Sequence, residues 1–112
     1  MSRNLKITSM NYTENFEGIK LDVQGGEIAI SDDLQQEIRD TIKRLKRHVS
    51  EVNFVDVYFT DKTEKTTDAK KVGIRFGIPG NDAYASDSGD NWMELLKNVE
   101  EKLRRQLVKI KR

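Results

Sequence analysis

The chain ends in a basic segment whose side chains could bind a negatively charged partner. From Lys102 to Arg112 the sequence has six Lys or Arg residues and no Asp or Glu. Leu103, Leu107 and Ile110 keep the spacing of one buried helix face through the same segment. Lys and Arg form charge-assisted hydrogen bonds to anionic oxygens. A helix held in a core on one side and positive on the other is therefore suited to contact with a polyanion.

A second basic segment runs from Arg39 to Arg47, where five basic residues accompany one acidic residue, Asp40. The formal charge of the whole chain is +1, so the remainder is acidic overall and the positive charge is local. Solvated basic rows are common on amphipathic helices, and cations in a last turn complement the helix dipole. Binding is favoured over that interpretation because one or two cations would satisfy the dipole. Nucleic acid is the commonest partner of such surfaces, and two adjacent helices could merge their rows into one groove.

The sequence offers little for catalysis or for a cofactor. The absence of cysteine excludes disulfides and thiolate metal sites, and the single histidine, His48, lies among basic residues near the end of a predicted helix. Asp32 and Asp33 are adjacent, and neighbouring helix positions point in different directions, so they fit a helix start better than an acid/base pair. Gly25-Gly26 lacks the remainder of a phosphate-binding loop. We therefore expect a protein that is not an enzyme and that uses no cofactor or small-molecule substrate.

The opening residues contain no apolar run long enough for a signal peptide, and no stretch approaches the roughly 20 apolar residues of a membrane span. Without cysteines the chain also fits a reducing compartment. We therefore expect a cytoplasmic protein with no membrane partner.

Two amphipathic helices must position the basic residues. Ser31 can cap the first, predicted over residues 32–49, and Asp90 or Ser88 can cap the second. Four strands are predicted from alternating or continuous apolar residues, over 19–24 with a brief continuation at 28–30, and over 53–60, 71–79 and 83–86. Asp61 to Lys70 is predicted to be a mobile loop.

The element order β-α-β-β-β-α predicts an α+β domain over residues 19–112, with a four-stranded mixed sheet and two helices on one face. The first two strands are joined through a helix and should be parallel, with a right-handed crossover. Residues 1–18 are predicted to be an N-terminal extension. Within it Leu5 and Ile7 could add a strand, whereas Asn11 to Asn15 indicates a loop.

Three stretches resemble the ribosome hibernation-promoting factor and ribosome-associated inhibitor family, whose members have also been labelled sigma-54 modulation proteins. They are the segment from Ile28 to Leu45, the Ile78-Pro-Gly that is followed by Tyr84-Ala-Ser, and above all Lys102-Leu-Arg-Arg-Gln-Leu-Val-Lys-Ile-Lys111. The resemblance covers residues 19–112.

This resemblance implies the same β-α-β-β-β-α fold and a translation inhibitor that acts on idle ribosomes. It implies binding to the small ribosomal subunit and its rRNA near the decoding centre, which would block mRNA and tRNA. The chain resembles the short forms, and we expect a monomer off the ribosome. Basic places of the family match Arg44, Lys102, Arg105, Lys109 and Lys111, and helical geometry adds Lys43, Lys46, Arg47, Arg104 and Arg112.

Two other interpretations remain open from the sequence. The basic faces could bind an acidic protein partner such as a sigma factor. A double-stranded RNA-binding domain has a similar topology, but it places basic residues at the start of its last helix, where this chain has Asp90 and Glu94.

Overall fold

A computed structural model of the chain describes residues 11–26, 28–61 and 70–111, with side chains as far as Lys109. Its elements are β1 (Asn11–Phe16), β2 (Ile19–Gln24), α1 (Asp32–Lys46), β3 (Phe54–Asp61), β4 (Lys70–Ile78), β5 (Asn81–Gly89) and α2 (Trp92–Lys111). The strands form one sheet whose spatial order equals their order along the chain. β2 and β3 are parallel and the other neighbours are antiparallel. The α+β class and the parallel pair are confirmed.

The predicted four-stranded sheet is wrong, because the described residues form five strands in the order β-β-α-β-β-β-α. The additional strand is β1, in the segment that the sequence indicated as a loop. Tyr12 and Phe16 of β1 pair with Val23 and Ile19 of β2 and pack against the core. The polar residues between them conceal this alternation, and pairing with a strongly apolar neighbour overrides the weak strand propensity.

A two-residue turn at Glu17-Gly18 joins β1 to β2. Both residues have positive φ, 53° and 84°, which matches the twist of a tight hairpin. The side chain of Asn15 accepts a hydrogen bond from the backbone N–H of Gly18 at 3.0 Å. This turn sets the register that brings β1 into the sheet.

β5 is longer than predicted, because it pairs with β4 along nine residues and not only at 83–86. The turn between them takes only Pro79 and Gly80, and Gly80 has a φ of 85°. The polar residues at both ends of β5 obscured its length in the sequence. Residues 28–30 form no strand, although Ile30 is buried.

α1 and α2 pack side by side on one face of the sheet and share its apolar core. The predicted apolar stripes are confirmed for their principal residues, since the core includes Leu34, Ile38, Ile42 and Leu45 of α1 and Leu95, Leu96, Val99, Leu103 and Leu107 of α2. Trp92 is only half-buried and meets the ring of Phe59 edge to face at 5.2 Å. None of the helices described here has the length and apolar character needed to span a bilayer.

The helix ends follow from side-chain caps. The Ser31 hydroxyl accepts the N–H of Leu34 at 3.1 Å, as predicted. α2 is capped by Asn91, whose side chain accepts the N–H of Glu94 at 3.0 Å, and not by Asp90 or Ser88. α1 ends at Lys46, three residues before the predicted end.

Several sequence-based predictions lie outside the described residues. They concern the strand at Leu5 and Ile7, residues 62–69 of the predicted loop, Arg112, and the side chains of Ile110 and Lys111. The two end residues of that predicted loop, Asp61 and Lys70, belong instead to β3 and β4.

Candidate nucleic-acid interface

The basic C-terminal halves of both helices lie at the same end of the molecule. β3 and β5 run in the same direction because each is antiparallel to β4, and α1 returns from the end of β2 to the start of β3. α2 runs back along β5, since its Asn98 contacts Asp87 and its Gln106 contacts Tyr84. The two helices are therefore parallel, and the C-terminal end of α1 lies beside the middle of α2, where Arg44 contacts Glu100.

α1 distributes its basic residues over several sides of the helix. Arg44 faces α2, whereas the Lys46 ammonium lies 2.9 Å from the Glu17 carboxylate in the β1–β2 turn. Lys43 and Arg47 are exposed and line a shallow depression with Lys46 and Glu17. Within the part of the chain that the structure describes, neither Lys43 nor Arg47 has a carboxylate partner.

Arg44 is the basic residue that connects the two helices. Its Nε and Nη2 donate to the two carboxylate oxygens of Glu100 in α2 at 2.7 and 2.9 Å, and Nη2 also donates to Glu37 at 2.8 Å. The hydrogen bonds to Glu100 are the largest cause that raises the pKa of the Arg44 guanidinium above its usual range; Glu37 adds to it, and partial burial opposes it. Arg44 therefore stays fully charged and is held in one orientation.

Lys102 contacts the edge of the sheet. Its ammonium donates to the backbone carbonyl of Ser86 at 2.9 Å and lies 3.5 Å from the Asp87 carboxylate. Hydrogen bonds from Asn98, the largest cause, and then from the Ser88 backbone and Lys102 lower the pKa of Asp87, although burial opposes the shift. On this side of α2 a basic residue joins the helix to β5.

Arg104 and Arg105 share Glu101, the last acidic residue of the chain. Arg104 bonds it through Nε and Nη2, and Arg105 Nε lies 3.4 Å from the same carboxylate. The bond from Arg104 is the largest cause that lowers the pKa of Glu101. Lys109, one turn further on, is exposed and has no carboxylate partner among the described residues.

The two basic rows do not merge into the single groove that the sequence suggested. Arg44 faces α2, and Arg104 lies one turn beyond Glu100 on the side of α2 that faces α1. Lys46 instead faces the β1–β2 hairpin, and Lys102 faces β5. The inter-helix groove thus contains part of the predicted set, with further cations on its outer sides.

Carboxylates also interleave with these cations more than the sequence suggested. Five of the eight basic site residues whose side chains are described have a carboxylate partner: Arg44, Lys46, Lys102, Arg104 and Arg105. Their carboxylate partners come from Glu101, just before Lys102, and from other parts of the fold. The pairs made by Lys46, Lys102, Arg104 and Arg105 are largely exposed and contribute little to stability, whereas the two carboxylates on Arg44 are more buried.

Sequence reasoning assigned no role in this surface to Glu37, Glu100 or Gln106. Glu37 and Arg44 are two helical turns apart and share one flank of α1, which the helical period could have revealed. No local pattern reveals the approach of Glu100, which is 56 residues from Arg44 along the chain. In the described ranges no three metal-ligating side chains come together.

Sequence comparison with known proteins matches most of this chain. The family model described as "Sigma 54 modulation protein / S30EA ribosomal protein" matches residues 21–112. The ribosome hibernation promoting factor of Acinetobacter guillouiae is 25% identical over 97 residues, which cover 81% of this chain and 86% of that protein.

Two solved structures have a similar fold. A ribosomal subunit interface protein from Coxiella burnetii superposes with a TM-score of 0.65 at 24% identity, over 81% of this chain and 96% of that one. The N-terminal domain of Protein Y from Thermus thermophilus gives a TM-score of 0.63 at 16% identity, over 74% and 88% of the respective chains.

Proposed function

This chain belongs to the sigma 54 modulation protein / S30EA ribosomal protein family, and we propose that it is a hibernation factor that binds the small ribosomal subunit near the decoding centre. In that position it blocks the binding of mRNA and tRNA and keeps ribosomes idle. The family is one of ribosome-binding proteins without enzymatic activity. The proposal includes a cytoplasmic location, where ribosomes are found.

The observation that carries this proposal is that the basic C-terminal segments of both parallel helices lie toward one end of the domain. Lys43 and Arg47 of α1 and Lys109 of α2 are exposed there without carboxylate partners among the described residues, and Arg105 has a side chain 68% exposed. Arg44 adds a guanidinium held between the helices. Such a surface fits the phosphate backbone of folded RNA.

The proposed contacts recognise a shaped RNA cavity more than a base sequence. Lys and Arg side chains that reach phosphates fix position and orientation but read no sequence. The ten basic residues named above form the proposed contact set, with Lys111 and Arg112 included from the sequence alone. Arg44, Arg47, Arg105 and Lys109 are its proposed centre, because the first lies between the helices and the others are exposed at their ends.

Sedimentation with purified ribosomal subunits tests the proposed partner. The chain is expected in the small-subunit fraction, and its presence should reduce the binding of tRNA and of a model mRNA to that subunit. Migration with the large subunit alone, or undiminished tRNA binding at saturating protein, would contradict the proposal.

Affinity capture from an extract separates RNA binding from binding to an acidic protein such as a sigma factor. A complex held by rRNA should disperse after ribonuclease digestion. A single partner protein that survives the digestion in stoichiometric amount would favour the protein-binding interpretation.

A further inference from the structure

We propose that Glu37 and Glu100 are positioning residues for phosphate binding, which hold Arg44 between the helices with one edge of its guanidinium available to the ligand. The inference rests on the function proposed above and deepens it. It assigns two carboxylates a favourable role in the binding of a polyanion, where their charge alone would oppose binding.

The donor geometry of Arg44 supports this role. A guanidinium has five N–H donors in a fixed plane, of which Nε carries one and each Nη carries two. Glu100 engages Nε and Nη2, and Glu37 engages Nη2. Nη1 has no partner among the described residues, so its two donors are available on the remaining edge of the plane.

The two carboxylates differ from an ordinary surface pair in their burial. The side chains of Glu37 and Glu100 are 21% and 18% exposed, whereas Arg44 is 44% exposed. Arg44 is therefore the most accessible of the three side chains, and both acids that hold it are largely shielded from solvent. A phosphate that approaches the groove meets Arg44 before it meets either carboxylate.

Orientation should outweigh repulsion in this arrangement. Immobilising one long side chain on binding costs enough to change affinity by about two- to tenfold, and an arginine already held in place avoids most of that cost. A phosphate on Nη1 would lie within a Debye length of both carboxylates, and the repulsion from each, screened by water and salt, lowers affinity by about twofold at most.

Glu101 is the matched contrast. Its side chain is 44% exposed, and it pairs with Arg104 and Arg105 of its own helix. It holds these arginines only within their own helix and at exposed positions, where such pairs are weak and orient a side chain little. Removal of its charge should therefore reduce repulsion and leave the orientation of Arg44 unchanged.

The test measures affinity for the purified small subunit at several salt concentrations. Glu100→Gln is expected to weaken binding by about two- to tenfold, Glu37→Gln/Glu100→Gln by more, and Glu101→Gln to leave binding equal or up to about twofold tighter. The slope of log affinity against log salt should become shallower by about 0.9 for Arg44→Gln and stay near the wild-type value for Glu100→Gln, because Arg44 keeps its charge and its phosphate contact. A merely structural role of Glu100 would lower the melting temperature and would weaken binding equally with and without Arg44.

Two further variants keep the inference falsifiable. In an Arg44→Gln background, Glu100→Gln should no longer weaken binding. The double variant Arg44→Glu/Glu100→Arg should bind more tightly than the single variant Arg44→Glu, because it again places a carboxylate-held arginine between the helices. Tighter or unchanged binding by Glu100→Gln, with wild-type binding intact, would overturn the inference alone. Absence of wild-type binding to the small subunit would overturn the proposed function and the inference together.

Discussion

The basic side chains at the proposed interface differ in whether a carboxylate already pairs with them. This difference predicts how much the replacement of each one changes binding. Arg47 and Lys109 are exposed and have no carboxylate partner within the residues that the structure covers. Arg47→Gln and Lys109→Gln should each weaken binding to the small subunit several-fold and reduce the salt slope by about 0.9. The free energy of unfolding should change by less than about 0.5 kcal/mol.

Lys71→Gln is the matched control for these two variants. Lys71 is also exposed, but it lies at the start of β4, at the opposite end of the sheet from the helix C-termini. Its replacement should leave binding nearly unchanged. Equal losses for all three variants would indicate general electrostatic attraction in place of a located interface.

Ionisation of Asp87 should make the free energy of unfolding depend on pH in the acid range. Because the pKa of Asp87 is lowered from 3.8 in the folded protein, its ionised form contributes stability above that value, and the contribution is lost as the pH falls through the lowered pKa. Asp87→Asn should cost about 0.5–1 kcal/mol near neutral pH, the size expected for an exposed charged pair. Urea unfolding of both proteins between pH 7 and pH 2 should show a difference that starts to fall near pH 3.8 and disappears once the pH is below the lowered pKa of the folded protein. A constant difference would contradict the role of ionisation.

The sequence predicted which residues carry positive charge but not the partners of those residues. The basic faces were evident from helical period and charge alone. Glu17 approaches Lys46, and Glu100 approaches Arg44, only after the sheet has formed, over separations of 29 and 56 residues. Long-range pairing of this kind leaves no periodic signal in one sequence.

At the scale of elements, α2 covers the exposed edge of the sheet. Gln106 donates to the Tyr84 carbonyl at 2.8 Å and accepts from the Tyr84 N–H at 3.3 Å, and Lys102 donates to the Ser86 carbonyl. These bonds satisfy backbone groups of the edge strand β5 that could otherwise pair with another chain. Lys102 thus has a structural role in addition to its proposed role in RNA binding.

Gln106→Ala should expose this edge. We expect a loss of about 1 kcal/mol in unfolding free energy, from two lost hydrogen bonds that water partly replaces. Hydrogen exchange at the Tyr84 amide should become faster, whereas exchange in β3 at the centre of the sheet should follow only the global change. Unchanged protection of Tyr84 would show that Gln106 does not protect the edge.

The elements with strong apolar periodicity were predictable and the polar ones were not. Both helices and the strands that became β2, β3 and β4 were evident from the sequence, with small errors at their ends. β1 was missed and β5 was predicted too short, because both are edge strands with many polar residues. Their pairing depends on the two-residue turns at Glu17-Gly18 and Pro79-Gly80 and on an apolar neighbour strand.

For the molecule as a whole, the parallel helices separate charge along one axis. The end with the helix N-termini collects Asp32, Asp33, Asp61, Asp87, Asp90 and Glu94, although Lys70 and Lys71 also lie there. The opposite end collects the basic C-terminal halves of both helices, although Glu17, Glu51 and Asp82 also lie there. A polyanionic cavity should therefore accept the domain in one orientation, with the helix C-termini inside.

Directed hydroxyl-radical probing can measure that orientation, because the chain has no native cysteine. Ser50 is exposed beyond the end of α1, and Ser88 is exposed at the acidic end of β5. An iron chelate on Ser50→Cys should cleave small-subunit rRNA more strongly than one on Ser88→Cys. Stronger cleavage from Ser88 would reverse the proposed orientation.

The salt dependence of small-subunit binding tests the central claim, that the two basic helix ends together bind RNA phosphates. Neutralisation of six or more phosphates predicts that the affinity of the wild-type chain falls by roughly 10³ or more between 50 and 200 mM salt. An affinity that changes little over this range would contradict phosphate binding by these helices.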